Sequence, residues 1–188
     1  MKNFNNLLLA FVATTFIFFT ACKKDNFDFI LSYDSANVTA PEFPEGIYES
    51  GALFPAGFSG NDEGNQLVEI EYYILQLPRT AELRVYSGGN GQPDQLVYSK
   101  SVTAEINQNS WNTHVLEEPL ALDGDDLWLM LSYEQSNTAR TLGCDTGPAK
   151  ENGDWHYDSF FNDWVLLSEQ TDIDINWNIR AKVNTLEE

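Results

Sequence analysis

Basic residues are scarce in this chain. Ten Lys and Arg stand against 29 Asp and Glu among 188 residues, which gives a formal net charge of −19. A protein that binds nucleic acid needs a basic surface to displace phosphate counterions, so the composition argues strongly against that class. The same charge disfavours electrostatic docking on an anionic membrane.

Cysteine and histidine are also rare, with two residues of each. Two cysteines cannot build a disulfide framework, and two histidines argue against a metal enzyme that needs several imidazole ligands. Hydrophobic residues make up 43% of the chain and aromatic residues 13%, which is too many for a disordered protein. We therefore expect one acidic, folded domain.

Long apolar runs are absent except at the N-terminus, where one covers residues 7–21 after the basic Lys2. This run is shorter than the ~20 residues of a transmembrane helix and has the length of a secretory signal, so we predict a signal peptide over 1–21. It ends in the sequence FTAC, whose last residue is Cys22. Small residues before a cysteine resemble the lipobox of bacterial lipoproteins, although that motif prefers Leu where Phe19 stands. The resemblance implies lipidation of Cys22; the alternative is an ordinary signal with a chance cysteine.

The segment after the signal differs in composition from the rest of the chain. Residues 22–45 begin polar, contain Pro41 and Pro44, and show no sustained periodicity, although the apolar stretch 27–31 could dock on the domain. We predict that they form the lipidated N-terminus and a flexible tether. The folded domain is then expected over residues 46–184, and residues 185–188 form an acidic tail.

Apolar and polar residues alternate with a period of two throughout the predicted domain, and no segment keeps a helical period. The pattern predicts strands over 46–54, 66–76, 80–87, 96–102, 111–116, 127–133, 155–160, 164–167 and 173–183. Turns rich in Gly, Asn and Asp separate them. This organisation is typical of an all-β protein, and we predict a single jelly-roll-type antiparallel β-sandwich.

Four segments taken together resemble a known family. They are AELRVYSGG (81–89) with LVYS (96–99), WNTHVL (111–116) with Pro119, GCDTGP (143–148) and NWNIRA (176–181). Their order and spacing resemble the jelly-roll adhesin modules of Gram-negative surface proteins, the gingipain-type cleaved adhesin and MAM-like group. The resemblance covers about residues 46–184. It implies a non-catalytic module that often binds calcium structurally and recognises proteins or glycans.

Acidic loop residues are the candidates for a structural calcium site, because calcium takes 6–8 oxygen ligands. The candidate ligands are Glu49, Asp123, Asp125, Asp145 and Asp154. Glu49 enters only by analogy with jelly rolls that join their first and last strands through a metal. The alternative is that these acids keep exposed turns soluble.

Aromatic residues are frequent in the segment 152–164, where they are mixed with Asp, Asn and His. Aromatic faces can stack on sugar rings while carboxylates and amides pair with hydroxyls, so Trp155 and Tyr157 are candidates for glycan binding. The polar stripe of the last predicted strand supplies Asp174 and Asn176 as further candidates. The alternative is that the large aromatics fill the core.

No Ser/His/Asp order, HExxH helix or phosphate-binding glycine loop is present in the sequence, so we expect no enzyme. The expected protein is an outer-membrane lipoprotein of a Gram-negative bacterium, displayed at the cell surface or facing the periplasm. It is expected to bind a surface protein or glycan in the manner of an adhesin. The alternative is a structural or accessory subunit of an envelope or glycan-uptake complex.

Overall fold

The computed structural model describes residues 27–158 and 162–186. The predicted signal peptide, Cys22 and the end of the acidic tail lie outside the described residues. The strands are β1 Phe29–Leu31, β2 Gly46–Phe54, β3 Gln66–Ile74, β4 Thr80–Ser87, β5 Gln95–Ser101, β6 Ser110–Ala121, β7 Leu127–Gln135, β8 Trp155–Asp158, β9 Asp163–Leu166 and β10 Ile179–Asn184. A single helical turn, α1 Leu167–Gln170, follows β9. Within these ranges, no helix has the length and hydropathy needed to cross a membrane.

The strands form two antiparallel sheets that pack face to face. One sheet has four strands in the order β1-β10-β3-β6, and the other has six in the order β5-β4-β7-β2-β8-β9. The prediction of an all-β antiparallel sandwich is therefore confirmed.

Alternation along each strand decides which side chains enter the core. In β4, Ala81, Leu83 and Val85 are buried, whereas Glu82 and Arg84 between them face outward and remain partly exposed. Burying a side chain such as Leu or Val stabilises the fold by about 1.5–3 kcal/mol. The core therefore lies between the two sheets, along the apolar faces that the sequence predicts.

The two central strands of the six-stranded sheet depart from this pattern, because their outer faces are buried as well. Leu53 of β2 and Trp128 and Met130 of β7 form a second, smaller apolar cluster outside the main core. Half-buried Tyr86, Trp155 and Trp164 pack against it. The outer face of this sheet is consequently covered by aromatic side chains instead of a simple polar layer.

The domain begins earlier than the predicted boundary at residue 46. Strand β1 pairs with β10, and the Asp28 N–H donates to the Val183 carbonyl at 3.1 Å. Further along, Asp34 forms an ion pair with Arg180 at 2.9 Å. Residues 27–45 thus belong to the sandwich and are not a free tether. Periodicity could not reveal this, because a strand of three residues is too short to show a pattern.

The last strand begins six residues later than predicted, since β10 covers Ile179–Asn184 whereas the predicted range is 173–183. Before it, the Trp177 N–H donates to the Gly153 carbonyl and the Asn178 N–H to the Gly143 carbonyl, both at 2.9 Å. These bonds draw the segment into a layer of loops. As a result, Asn176 and Asn178 are buried and do not form the expected polar surface.

Asp145 holds this layer of loops together, and we call its contacts the Asp145 clamp. Its carboxylate accepts hydrogen bonds from the backbone N–H groups of Ser35 at 3.0 Å, Gly147 at 2.8 Å and Asn176 at 2.8 Å. Burial by itself would raise the pKa of Asp145, but the bonds from Gly147, Asn176 and Ser35 outweigh it and lower that pKa from its ordinary value.

Replacing Asp145 with Asn should reduce the free energy of unfolding at neutral pH by about 2–3 kcal/mol, because an amide turns N–H groups toward backbone donors. Since the folded-state pKa of Asp145 is lowered, its contribution is present above the unfolded pKa and is lost as the pH falls through the folded value. Urea unfolding of both proteins at neutral and at acid pH should therefore show a difference that shrinks in acid.

The matched control is Asp94→Asn in the exposed turn between β4 and β5, which should leave stability nearly unchanged at both pH values. A cost of Asp145→Asn that is equal at neutral and acid pH would contradict the clamp.

Candidate functional site

The outward side chains of β4, β7, β2, β8 and β9 form one continuous surface, which we call the outer platform. The register places them in three rows across the strands: Tyr86, Trp128 and Leu53; Arg84, Met130, Gly51, Trp155 and Leu166; and Glu82, Ser132, Glu49, Tyr157 and Trp164. Because facing residues of paired strands lie within about 5.5 Å, each row brings together residues that are far apart in the chain.

One half of the outer platform is aromatic, and we call the half-buried side chains of Trp155, Tyr157 and Trp164 the aromatic surface. Trp155 packs edge-on against the fully buried Trp128, with ring centres 4.9 Å apart. The ring centres of Tyr157 and Trp164 lie 5.3 Å apart. The Trp155 indole N–H donates to the side chain of Asn152 at 3.2 Å. The rings therefore rest on a fixed floor and still present part of their surface to solvent.

Gly51 lies at the centre of the middle row and makes room for its neighbour. A Cβ atom at this position would approach the Leu129 carbonyl oxygen too closely and would lie 2.7 Å from the Met130 sulfur. The absence of a side chain lets Met130 lie flat against the sheet. A larger residue would displace the floor of the platform.

The other half of the outer platform is a groove of about 320 Å³, open to solvent. Among its lining residues, five polar ones lie on β4 and β7, and we call these five the polar groove: Thr80, Glu82, Arg84, Ser132 and Glu134. They provide hydroxyl, carboxylate and guanidinium groups side by side. A few convergent polar groups next to aromatic side chains are typical of small-molecule and saccharide sites.

Glu49 connects the two halves of the platform. One carboxylate oxygen accepts from Arg84 Nη1 at 2.7 Å, and the other accepts from the Tyr86 hydroxyl at 2.8 Å. Arg84 Nε also donates to Glu82 at 2.7 Å. Burial raises the pKa of Glu49, although Tyr86 and Arg84 act in the opposite direction. This buried carboxylate thus fixes the positions of two outward side chains.

The predicted glycan-binding residues fall into two groups. Trp155 and Tyr157 both lie on the outer platform. Asn176 lies in the Asp145 clamp instead, where its side chain donates to the Pro148 carbonyl at 3.0 Å. Asp174 is exposed in the loop before β10, where it accepts from the Ala149 N–H. The structure therefore separates this pair from the aromatic surface.

The predicted calcium ligands are not brought together. Asp123 accepts from the Ser87 hydroxyl and the Asp125 N–H, at 2.6 and 3.1 Å, in the loop between β6 and β7. Asp154 accepts from the Ser168 N–H at 2.7 Å, and Asp145 and Glu49 have the partners given above. In the part of the chain that the structure describes, no three Asp, Glu, His or Cys side chains are arranged to hold a metal ion. Calcium binding stays a prediction from the resemblance.

Sequence reasoning did not single out the polar groove as a site. Alternation does place Glu82, Arg84 and Tyr86 on the outward face of β4. The order of strands was the missing information, because it takes β7 and β2 to bring these side chains beside Glu49 and the aromatic surface. One signal in the sequence was available. Alternation places Trp128 and Met130 on the outer face of β7, and such large apolar side chains indicate that this face is covered.

Replacing Glu49 with Ala should lower the free energy of unfolding by about 2–3 kcal/mol, because Tyr86 and Arg84 lose a shared acceptor in a mostly buried site. Glu49→Gln should cost less, because the amide oxygen still accepts one bond. Urea unfolding measures both. Glu117→Ala removes the exposed ion pair with Lys100 and serves as the control, which should have almost no effect. If Glu49→Ala and Glu117→Ala lowered the free energy of unfolding equally, Glu49 would not have this connecting role.

No family model and no curated protein matches the chain. Its fold is similar to two solved structures of the clostridial cysteine protease Cwp84. The structure after propeptide cleavage aligns with a TM-score of 0.62 and 12% identity over 83% of this chain and 40% of that one. The other holds the protease and lectin-like domains of this surface-layer-associated protein of Clostridium difficile, and aligns with a TM-score of 0.57 and 13% identity over 77% of this chain and 33% of that one.

The chain thus spans 40% or less of the length of these two structures, and the match lies in the lectin-like part. At such low identity the likeness shows the fold alone. Neither structure is a gingipain-type or MAM-like module, so that resemblance stays a prediction.

Proposed function

We propose that the chain is a non-catalytic binding module that recognises a glycan through its outer platform. The observation that carries this proposal is the contiguity of the aromatic surface and the polar groove on one face of the six-stranded sheet. The lectin-like character of the similar domain in Cwp84 supports the same reading.

Sugar chemistry explains why such a face suits a glycan. The C–H groups of a pyranose ring carry a small positive charge, and the faces of Trp155, Tyr157 and Trp164 are negative, so ring and aromatic face attract. The hydroxyl groups of a sugar both donate and accept hydrogen bonds. Carboxylates such as Glu82 accept these bonds, and the guanidinium of Arg84 donates them.

The position of a serine–histidine contact supports the non-catalytic reading. The Ser50 hydroxyl lies 2.8 Å from His156 Nδ1, a distance that a nucleophile and its base would have. Ser50 is, however, fully buried between the sheets, and His156 is 2% exposed. This contact belongs to the core and not to the outer platform.

The proposal includes the lipid anchor at Cys22 and display at the surface of the outer membrane. Four residues separate Cys22 from Phe27, where the described domain begins. Fully extended, the chain from Cys22 to Phe27 spans at most about 18 Å. The domain would therefore stand close to the bilayer, with Lys23 and Lys24 next to the headgroups.

Trp155→Ala should weaken glycan binding at least about tenfold, because it removes one stacking face and loosens the next. A glycan array identifies a ligand, and titration calorimetry then compares the variant with the wild type, with circular dichroism as the check on folding. The matched control is Trp111→Ala, a half-buried tryptophan that stacks under Arg180 on the opposite sheet. Unchanged binding by Trp155→Ala, or equal losses in both variants, would contradict the proposal.

Cys22→Ser should lose its lipid label and move out of the membrane fraction, because the thioether that carries the diacylglyceryl group needs the sulfur. Metabolic labelling with a fatty acid, followed by cell fractionation, measures this outcome. Cys144→Ser is the control, since that thiol is buried in the fold. A Cys22→Ser protein that remains in the membrane would refute the anchor.

A further inference from the structure

The charges of the polar groove restrict the kind of glycan that it can take. Arg84 pairs with Glu49 and with Glu82, and nearby Arg79 pairs with Glu134 at 3.0 Å. Three carboxylates therefore neutralise two guanidinium groups, and both cations already have partners. Sites for anions commonly present an arginine whose donors are free to hold a carboxylate or phosphate. A uronic acid or a sulfated sugar would instead meet excess negative charge, in a chain whose net charge is −19.

Uncharged hydroxyl groups match what the groove leaves unpaired. The second carboxylate oxygens of Glu82 and Glu134 and the Ser132 hydroxyl have no protein hydrogen-bond partner among the described residues. Each free oxygen can accept a bond from a sugar hydroxyl, and Ser132 can donate or accept. The groove thus offers free carboxylate acceptors and carries more carboxylates than guanidinium groups, which suits an alcohol and not an anion.

The width of the platform sets the length of the ligand. The polar groove lies on β4 and β7, whereas the aromatic surface lies on β8 and β9. From β4 to β9 there are four strand spacings, which amount to about 19 Å. One sugar ring cannot cover this width, but a short chain of sugars laid across the strands can.

We infer that the outer platform binds an uncharged oligosaccharide of several units, with hydroxyls in the polar groove and ring faces on the aromatic surface. This inference rests on the proposed glycan-binding function and specifies its ligand class. It excludes acidic glycans and single sugars as the preferred ligands.

Titration calorimetry with defined probes tests the inference. The probes are linear neutral disaccharides and hexasaccharides of glucose, mannose and xylose, together with a hexamer of galacturonic acid. At least one neutral hexasaccharide should bind, its disaccharide should bind about tenfold or more weakly, and the acidic hexamer should not bind. Because no net ionic attraction is involved, the affinity for the neutral chain should be nearly the same at low and high salt.

The outcomes separate the inference from the function on which it rests. If the acidic hexamer binds at least as tightly as every neutral chain, or a disaccharide binds as tightly as its hexasaccharide, the inference is overturned and glycan binding stands. If none of the probes binds, both are overturned.

A gain-of-function variant tests the charge argument directly. Glu134→Lys removes the partner of Arg79 and adds a cation beside the groove, so it should confer measurable binding of the galacturonic acid hexamer, with an affinity at least about tenfold above the detection limit of the wild-type titration. Glu117→Lys makes the same change of net charge on β6 of the other sheet and should have little effect. Equal gains in the two variants would show that the net charge of the protein, and not the groove, determines its affinity for the acidic hexamer. That result would overturn the inference.

Discussion

The buried carboxylate of Glu49 is the interaction on which the outer platform depends. It lies on β2, one of the two central strands of the six-stranded sheet, and two side chains of β4 reach across β7 to bond it. Taking this charge out of water costs free energy, as the raised pKa of Glu49 indicates. In return, Arg84 and Tyr86 are each held in one position, so the groove and the aromatic surface keep a constant relation to one another.

A second constraint comes from the burial of β7 on both of its faces. Trp128 and Met130 are fully buried although they point away from the main core, because Tyr86, Trp155 and Trp164 cover them. Rings that rest on such a floor lose little conformational freedom when a ligand arrives, and preorganisation of this kind improves affinity. The absence of a side chain at Gly51 completes the floor, since it leaves the space that Met130 fills.

Periodicity predicted the local structure of the sandwich well and its assembly poorly. The bounds of β2 and β4 agree with those predicted, and in β4 the agreement follows from one clearly apolar face toward the core. Alternation failed before β10, because the Asn176 N–H donates to the buried Asp145 carboxylate and not to a neighbouring strand. It also missed β1, whose three residues are held by pairing with β10 more than by their own pattern.

The candidate site could be predicted only in part, and for the same reason. Trp155 and Tyr157 were identifiable as aromatic residues in a polar segment. Their association with Glu82 and Arg84, about 70 residues earlier, arises from the strand order β4-β7-β2-β8, which no local pattern encodes. The acidic residues were predicted as calcium ligands from their places in loops and from the resemblance; in the fold Asp123, Asp145 and Asp154 each accept hydrogen bonds from protein donors.

Mapping of a bound oligosaccharide by NMR tests the central claim most directly. The isotope-labelled domain would be titrated with the neutral hexasaccharide that binds it best, while the amide and indole resonances are followed. The account predicts that shifts concentrate on β4, β7, β2, β8 and β9, and include the indole N–H signals of Trp155 and Trp164. Shifts confined to the outer face of the four-stranded sheet, around Trp111 and Arg180, would contradict it.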